Sequence, residues 1–138
     1  MALRGARRRR DVKTIAVVED NADNRLLLQA ILDGMYRLVE YENGIDALAG
    51  LQGPLPDLVL LDISLPGMDG NEILSHIRRD ERLRRLPVIA LTAHAMSGDR
   101  EKYLAAGFND YITKPIVDET ILLGAISRWL AAADTAST

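Results

Sequence analysis

The spacing of apolar residues along this chain switches repeatedly between two periods. Thr14-Ile15-Ala16-Val17-Val18 is a short, nearly unbroken apolar run that stops at Glu19-Asp20, as expected of a strand buried on both faces. Asn21 then offers a cap, and Leu27, Leu28, Ile31 and Leu32 recur at helical spacing up to Gly34, which predicts the first helix. Arg37 to Tyr41 reads as a second strand and Gly44 to Leu51 as a second helix. Gly53, Pro54 and Pro56 punctuate the connection to Asp57-Leu58-Val59-Leu60-Leu61-Asp62, another buried strand ending in a carboxylate. Beyond the turn Pro66-Gly67-Met68, Asp69 and Glu72 have the spacing of a capping box, with Ile73, Leu74 and Ile77 on one face of the helix that follows. Pro87 to Leu91 predicts a fourth strand, Ser97 to Ala106 a fourth helix and Asn109 to Thr113 a fifth strand. Asp118 can cap a last helix with the apolar stripe Ile121, Leu122, Ala125 and Trp129, and residues 133–138 read as a short frayed tail.

Strands alternating with helices throughout predict an α/β fold, a parallel sheet covered on both faces and joined by right-handed crossovers. Five such units point to a doubly wound, five-stranded, flavodoxin-like (βα)5 sheet of order 2-1-3-4-5. Its functional crevice lies beyond the carboxyl ends of strands 1 and 3. Acidic residues stand at both of those ends: Glu19 and Asp20 after strand 1, Asp62 after strand 3.

Carboxylates gathered in one crevice raise one another's pKa unless a cation relieves them, and hard oxygen donors with room for water suit Mg2+. The neighbouring strand ends supply complements. Thr92 closes strand 4 and could donate its hydroxyl to an anion; Lys114 follows strand 5 and could neutralise one. Pro115 makes a cis peptide after Lys114 an expectation. Taken singly, each residue also has an ordinary reading: Glu19 and Asp20 as helix caps or solvent-facing acids, Thr92 as a cap, Lys114 as a surface lysine.

Composition narrows the field. At 138 residues, 48% hydrophobic and 27% charged, the chain has the profile of one soluble globular domain, and no apolar stretch approaches a membrane span. The absence of cysteine removes disulfides, thiolate metal sites and cysteine nucleophiles together and fits a cytoplasmic address, as does the lack of an export signal. The formal charge of −3 is uneven: Arg4, Arg7, Arg8, Arg9, Arg10 and Lys13 stand against Asp11 alone near the N-terminus. That arm has no aromatic residue and leads into an acidic domain, so residues 1–12 read as a solvated, disordered leader with no nucleic acid partner.

Four ordered motifs carry a family resemblance: Val18-Glu19-Asp20-Asn21, Leu61 to Gly70, Ala90-Leu91-Thr92-Ala93, and Tyr111-Ile112-Thr113-Lys114-Pro115-Ile116. With these motifs the chain closely resembles, over roughly residues 13–132, the response-regulator receiver domains of two-component phosphorelays. The segment Ala93 to Asp99 makes it most similar to DivK-type single-domain regulators and hybrid-kinase receivers. The resemblance implies that Asp62 is the phosphoacceptor, forming an aspartyl phosphate. It implies that Asp20, Asp62 and the backbone carbonyl of Ser64 bind Mg2+ directly and that Glu19, where the family often has Asp, acts through a metal-bound water. Thr92 and Lys114 would contact the phosphoryl group, Tyr111 would move inward as Thr92 shifts toward it, and Ser64 and His94 would tune the phosphoryl lifetime. The implied donor is a histidine kinase or a histidine phosphotransfer protein. The implied output is a downstream protein bound at the face of helix 4, strand 5 and helix 5.

This is the expectation for a signalling switch rather than an enzyme, acting alone or as a receiver cut from a hybrid kinase or longer regulator. No DNA-binding segment follows Trp129. An Mg2+-dependent phosphatase with an aspartate nucleophile would want a second aspartate two residues beyond Asp62, where Ser64 stands. A flavodoxin-like cofactor site would want a glycine-rich phosphate loop after strand 1, where Glu19-Asp20-Asn21-Ala22-Asp23 would repel an anion. His76, mid-helix with Arg78 and Arg79 nearby, reads as a surface residue, and Met96 and Trp129 as apolar core or partner-facing groups.

Overall fold

A computed structural model describes residues 12–93 and 98–137, with side chains through Asp134. The expectations placed on residues 1–11 and on His94, Met96 and Ser97 fall outside them. In chain order the elements are β1 (Thr14–Val18), α1 (Ala22–Leu32), β2 (Arg37–Tyr41), α2 (Gly44–Gly50), β3 (Leu58–Asp62), α3 (Gly70–Arg79), β4 (Val88–Thr92), α4 (Asp99–Ala106), β5 (Asp110–Thr113) and α5 (Glu119–Ser137).

All four strand pairings are parallel and the order is β2-β1-β3-β4-β5, the flavodoxin-like arrangement expected from the alternating pattern. Side chains alternate between two apolar layers. Ile15, Val17, Leu58, Leu60, Ile89, Leu91 and Ile112 pack with Leu28, Leu32, Leu122 and Ile126 of α1 and α5. Ala16, Val18, Val59, Leu61, Val88 and Ala90 pack with Ala47, Ile73, Leu74, Ile77 and Tyr103 of α2, α3 and α4. Burial on both faces is why β1, β3 and β4 are continuous apolar runs rather than alternating ones. β2, at the sheet edge, carries the exposed Arg37, Val39 and Glu40.

Side-chain caps set where helices begin. Asn21, Asn43 and Asp69 accept from the backbone N–H groups of Asn24, Asp46 and Glu72, each such cap contributing about 1 kcal/mol. Gly70 is required by close approach: a Cβ there would lie 2.5 Å from the Asp62 backbone oxygen and 2.8 Å from the Ile63 Cα. Its absence lets the start of α3 press against the end of β3. Gly107, at φ 116, ends α4 in a left-handed conformation, donating its N–H to Leu104 O, while Phe108 donates to Tyr103 O.

Several boundaries differ from the sequence reading. β4 begins at Val88 and runs through Thr92, which pairs with Thr113, so Thr92 is a strand residue and not a helix cap. Pro87 lies outside the strand, having no N–H to give a ladder, although its carbonyl accepts from Val59. The expected tail is instead helical as far as Ser137, because Ala131, Ala132 and Ala133 carry high helix propensity and Asp134 pairs with Lys13 at 3.0 Å. Leu27, assigned to the inner stripe of the first helix, is 39% exposed, and Ile121 of the last helix is 60% exposed. No helix among the described residues is long and apolar enough to cross a membrane.

Candidate functional site at the carboxyl edge of the sheet

The carboxyl ends of β1 and β3 bring Glu19, Asp20 and Asp62 together, with one ligand oxygen from each lying within 4.8 Å of the others. Glu19 is fully buried, Asp62 is 2% exposed and Asp20 faces solvent. Two acids are thus withdrawn from water, and the third leaves the cluster open on one side.

Lys114 comes in from the end of β5. Its Nζ donates to Glu19 Oε1 and to Asp62 Oδ2, both at 3.0 Å, and the side chain is 18% exposed. The Lys114-Pro115 peptide is cis, as the Lys-Pro pair led one to expect. The remaining oxygens are held by short-range donors. Asn21 N–H donates to Glu19 Oε2 at 3.2 Å, Asn24 Nδ2 to Glu19 Oε1 at 3.3 Å, and Ser64 N–H to Asp62 Oδ1 at 3.0 Å. Arg25 Nη1 donates to the Glu19 backbone carbonyl at 2.8 Å and pairs with Glu42 at 3.1 Å through its other nitrogen. The first turn of α1 therefore braces Glu19 from one side while Lys114 holds it from the other.

Burial and the adjacent Asp62 carboxylate push the Glu19 pKa above the usual glutamate value, against the opposing pull of Asn21 N–H and Lys114. For Lys114, burial works against the charge, but hydrogen bonds and attraction to Asp62 and Glu19 outweigh it and raise its pKa. The site holds more negative charge than its lysine can offset, and hard carboxylate oxygens with one exposed member form a donor set suited to a small divalent cation.

Thr92 lies at the end of β4, one residue beyond Leu91, which is in register with Asp62. It is 2% exposed, and its hydroxyl shares a 3.0 Å hydrogen bond with the Tyr103 hydroxyl of α4. Tyr111 is half-buried in β5, with its ring centroid 5.6 Å from that of Tyr103. Ser64 is exposed just past β3, and His76 is exposed on α3 as expected. His94 falls outside the described residues.

Sequence reasoning did not single out Asn24, Arg25 or Tyr103. The first two are adjacent to the acidic motif and could have been read as donors from the opening turn of α1; nothing in the local pattern ties Tyr103 to Thr92. It also passed over two polar clusters away from this edge. Arg78 donates to the carbonyls of Gly107, Arg84 and Leu86 and to Asn109 Oδ1 at 2.7–3.0 Å, stitching α3 to the β4 and β5 entries; burial lowers its pKa. Asp110, 5% exposed at the start of β5, accepts from Arg128 Nη1 at 3.1 Å and Trp129 Nε1 at 3.0 Å, with Arg100 at 3.6 Å. Trp129, expected to be purely apolar, has a polar task as well.

Residues 15–126 match the family model described as the response regulator receiver domain. The chain is 40% identical over 119 residues to the sensor histidine kinase GacS of Pseudomonas protegens, an alignment covering 83% of this chain and 13% of GacS. It is 40% identical over 105 residues to the polar-differentiation response regulator DivK of Brucella anthropi, covering 75% of this chain and 85% of DivK. Among solved structures, the receiver domain of sensor histidine kinase PA1611 from Pseudomonas aeruginosa PAO1 superposes with a TM-score of 0.78 at 39% identity, covering 87% of this chain and 98% of that one. In it a magnesium ion is coordinated in the active site cleft. A doubly wound sheet with a carboxylate cluster, a lysine and a threonine at its carboxyl edge, and this match over most of its length, establish that the chain belongs to the response regulator receiver domains of two-component systems.

Proposed function

We propose that Asp62 is the phosphoacceptor of this receiver and that the phosphoryl group is drawn from phosphohistidine on a histidine kinase or histidine phosphotransfer protein. The observation that carries this reading is the Asp62 carboxylate, buried at the end of β3 and held at Oδ2 by Lys114 and at Oδ1 by Ser64 N–H. A carboxylate oxygen attacks phosphorus, the phosphorus–nitrogen bond to the histidine breaks, and the electron pair leaves with the imidazole. Such transfers depend chiefly on alignment and charge neutralisation, so no general base is needed. Lys114, already at 3.0 Å from Asp62, supplies one positive charge to the phosphoryl oxygens, and Thr92 supplies a hydroxyl donor.

The donor set fits Mg2+, with Asp20, Asp62 and the Ser64 carbonyl as direct ligands and Glu19 acting through a water. When bound, the ion would neutralise charge on the transferring group. The magnesium in the PA1611 receiver supports this assignment. The same groups would also assist hydrolysis of the aspartyl phosphate, with Ser64 and His94 setting its lifetime, so the domain acts as a signalling switch in a cytoplasmic phosphorelay.

Output is assigned to the face of α4, β5 and α5. There a groove of about 310 Å³ is lined by Arg100, Tyr111, Thr113, Ile121 and Arg128. The chain spans 13% of the length of GacS and most of DivK, so the same chemistry serves either a receiver module of a longer kinase or an independent regulator.

Incubation with acetyl phosphate and Mg2+, followed by intact mass and site mapping, should give one added phosphoryl on Asp62 and none when the metal is chelated. Incorporation at another residue, or none from acetyl phosphate or a phosphorylated kinase, would remove the assignment. Amide shifts on the α4, β5 and α5 face should move on saturation with beryllofluoride; a face left unchanged would rule it out as the output surface.

A further inference from the structure

The alternation of side chains along the sheet sets Thr92 apart from the acids it is meant to serve. Glu19 and Asp62 continue the rows of Val17 and Leu60, which face α1 and α5. Thr92 continues the row of Val88 and Ala90, which face α3 and α4, and there its hydroxyl meets the Tyr103 hydroxyl at 3.0 Å. Tyr103 is 6% exposed, and its ring is locked edge-on against Phe108 at 5.9 Å and tilted against Tyr111 at 5.6 Å. The phenol is thus a fixed hydrogen-bonding group on α4 that holds the Thr92 hydroxyl on the α3 and α4 side of the sheet.

We propose that Tyr103 is a positioning residue for the switch: its hydroxyl holds Thr92 against α4 in the resting domain and must release it before Thr92 can donate to a phosphoryl oxygen on Asp62. This rests on the assignment of Asp62 as phosphoacceptor. The hydrogen bond is a cost that phosphorylation must overcome, so the resting population is set partly by Tyr103. Because the same ring touches Tyr111, its release transmits the change from β4 to the α4 and β5 face, giving the switch a second aromatic arm.

Tyr103→Phe removes the hydroxyl and keeps the ring packing. With Mg2+ present, its affinity for beryllofluoride should rise about two- to tenfold, the range of one net hydrogen bond, while Mg2+ affinity alone stays the same. In a Thr92→Val background the same substitution should leave beryllofluoride affinity unchanged, since the partner is gone; an effect of ring packing would persist there. With ¹³Cζ-labelled tyrosine, the Tyr103 resonance of the native domain should shift as beryllofluoride saturates. That native measurement decides the matter even if the variant folds poorly. Equal or weaker beryllofluoride binding by a folded Tyr103→Phe, or a Tyr103 resonance that does not move, overturns the proposal and leaves the phosphoacceptor assignment standing. Failure of the native domain to bind beryllofluoride with Mg2+ overturns both.

Discussion

Asp62 and Asp110 are both buried aspartates on the sheet, at 2% and 5% exposure, yet their surroundings are opposite in sign. At the end of β3, Asp62 shares Lys114 with the fully buried Glu19 and has Asp20 beside it, so acids outnumber the cation. At the start of β5, Asp110 faces Arg128, Arg100 and the Trp129 N–H, so donors outnumber the acid. One site is fully satisfied by the fold, whereas the other is left short of positive charge. A surplus of buried negative charge destabilises a resting protein, and it persists usefully only where binding a cation can relieve it. The comparison therefore separates an acid that joins α4, β5 and α5 from the one proposed for chemistry, without reference to family.

The largest contrast is expected in Asp62→Asn. Phosphoryl incorporation should vanish, while urea denaturation without metal shows stability unchanged or raised, because a like charge beside Glu19 has been removed. A clear loss of stability would make Asp62 a structural acid like Asp110. Next in size, Mg2+ should stabilise the native domain against urea by about 2.7 kcal/mol at a hundred times its dissociation constant, and Asp62→Asn much less at the same concentration. Equal stabilisation of both would place the ion elsewhere. Asp110→Ala should behave in the reverse sense, losing about 1–3 kcal/mol as the Trp129 N–H and its neighbours lose their acceptor, with Mg2+-dependent phosphorylation retained. Smallest is Arg128→Ala: the arginine is 63% exposed, so its pair with Asp110 should contribute about 0.2–1 kcal/mol, and 1 M salt should erase most of the difference.

Much of the Asp62 half of this contrast could be read from the sequence, and little of the Asp110 half. The runs at Ile15–Val18 and Leu58–Leu61 are apolar on both faces, which fixed them as interior strands, and the acids that end them fell at one edge once the strands were taken as parallel. Topology then converted neighbours in pattern into neighbours in space. The Asp110 cluster joins residues from α4, β5 and α5 through side-chain reach and helix rotation, which apolar periodicity leaves undetermined. The same holds for Arg78, whose four acceptors come from two separate connections, and for the Thr92 and Tyr103 pair. Helix ends were the other weak point: small residues after Trp129 resemble a tail, yet three consecutive alanines extend α5 to Ser137.

The central claim, that the charge-short acid is the chemical one, is tested most directly by intact mass after acetyl phosphate and Mg2+ treatment of the native domain, Asp62→Asn and Asp110→Asn side by side. One added phosphoryl group on the native domain and on Asp110→Asn, with none on Asp62→Asn, is the predicted result. Incorporation that survives in Asp62→Asn, or disappears in a folded Asp110→Asn, would contradict it.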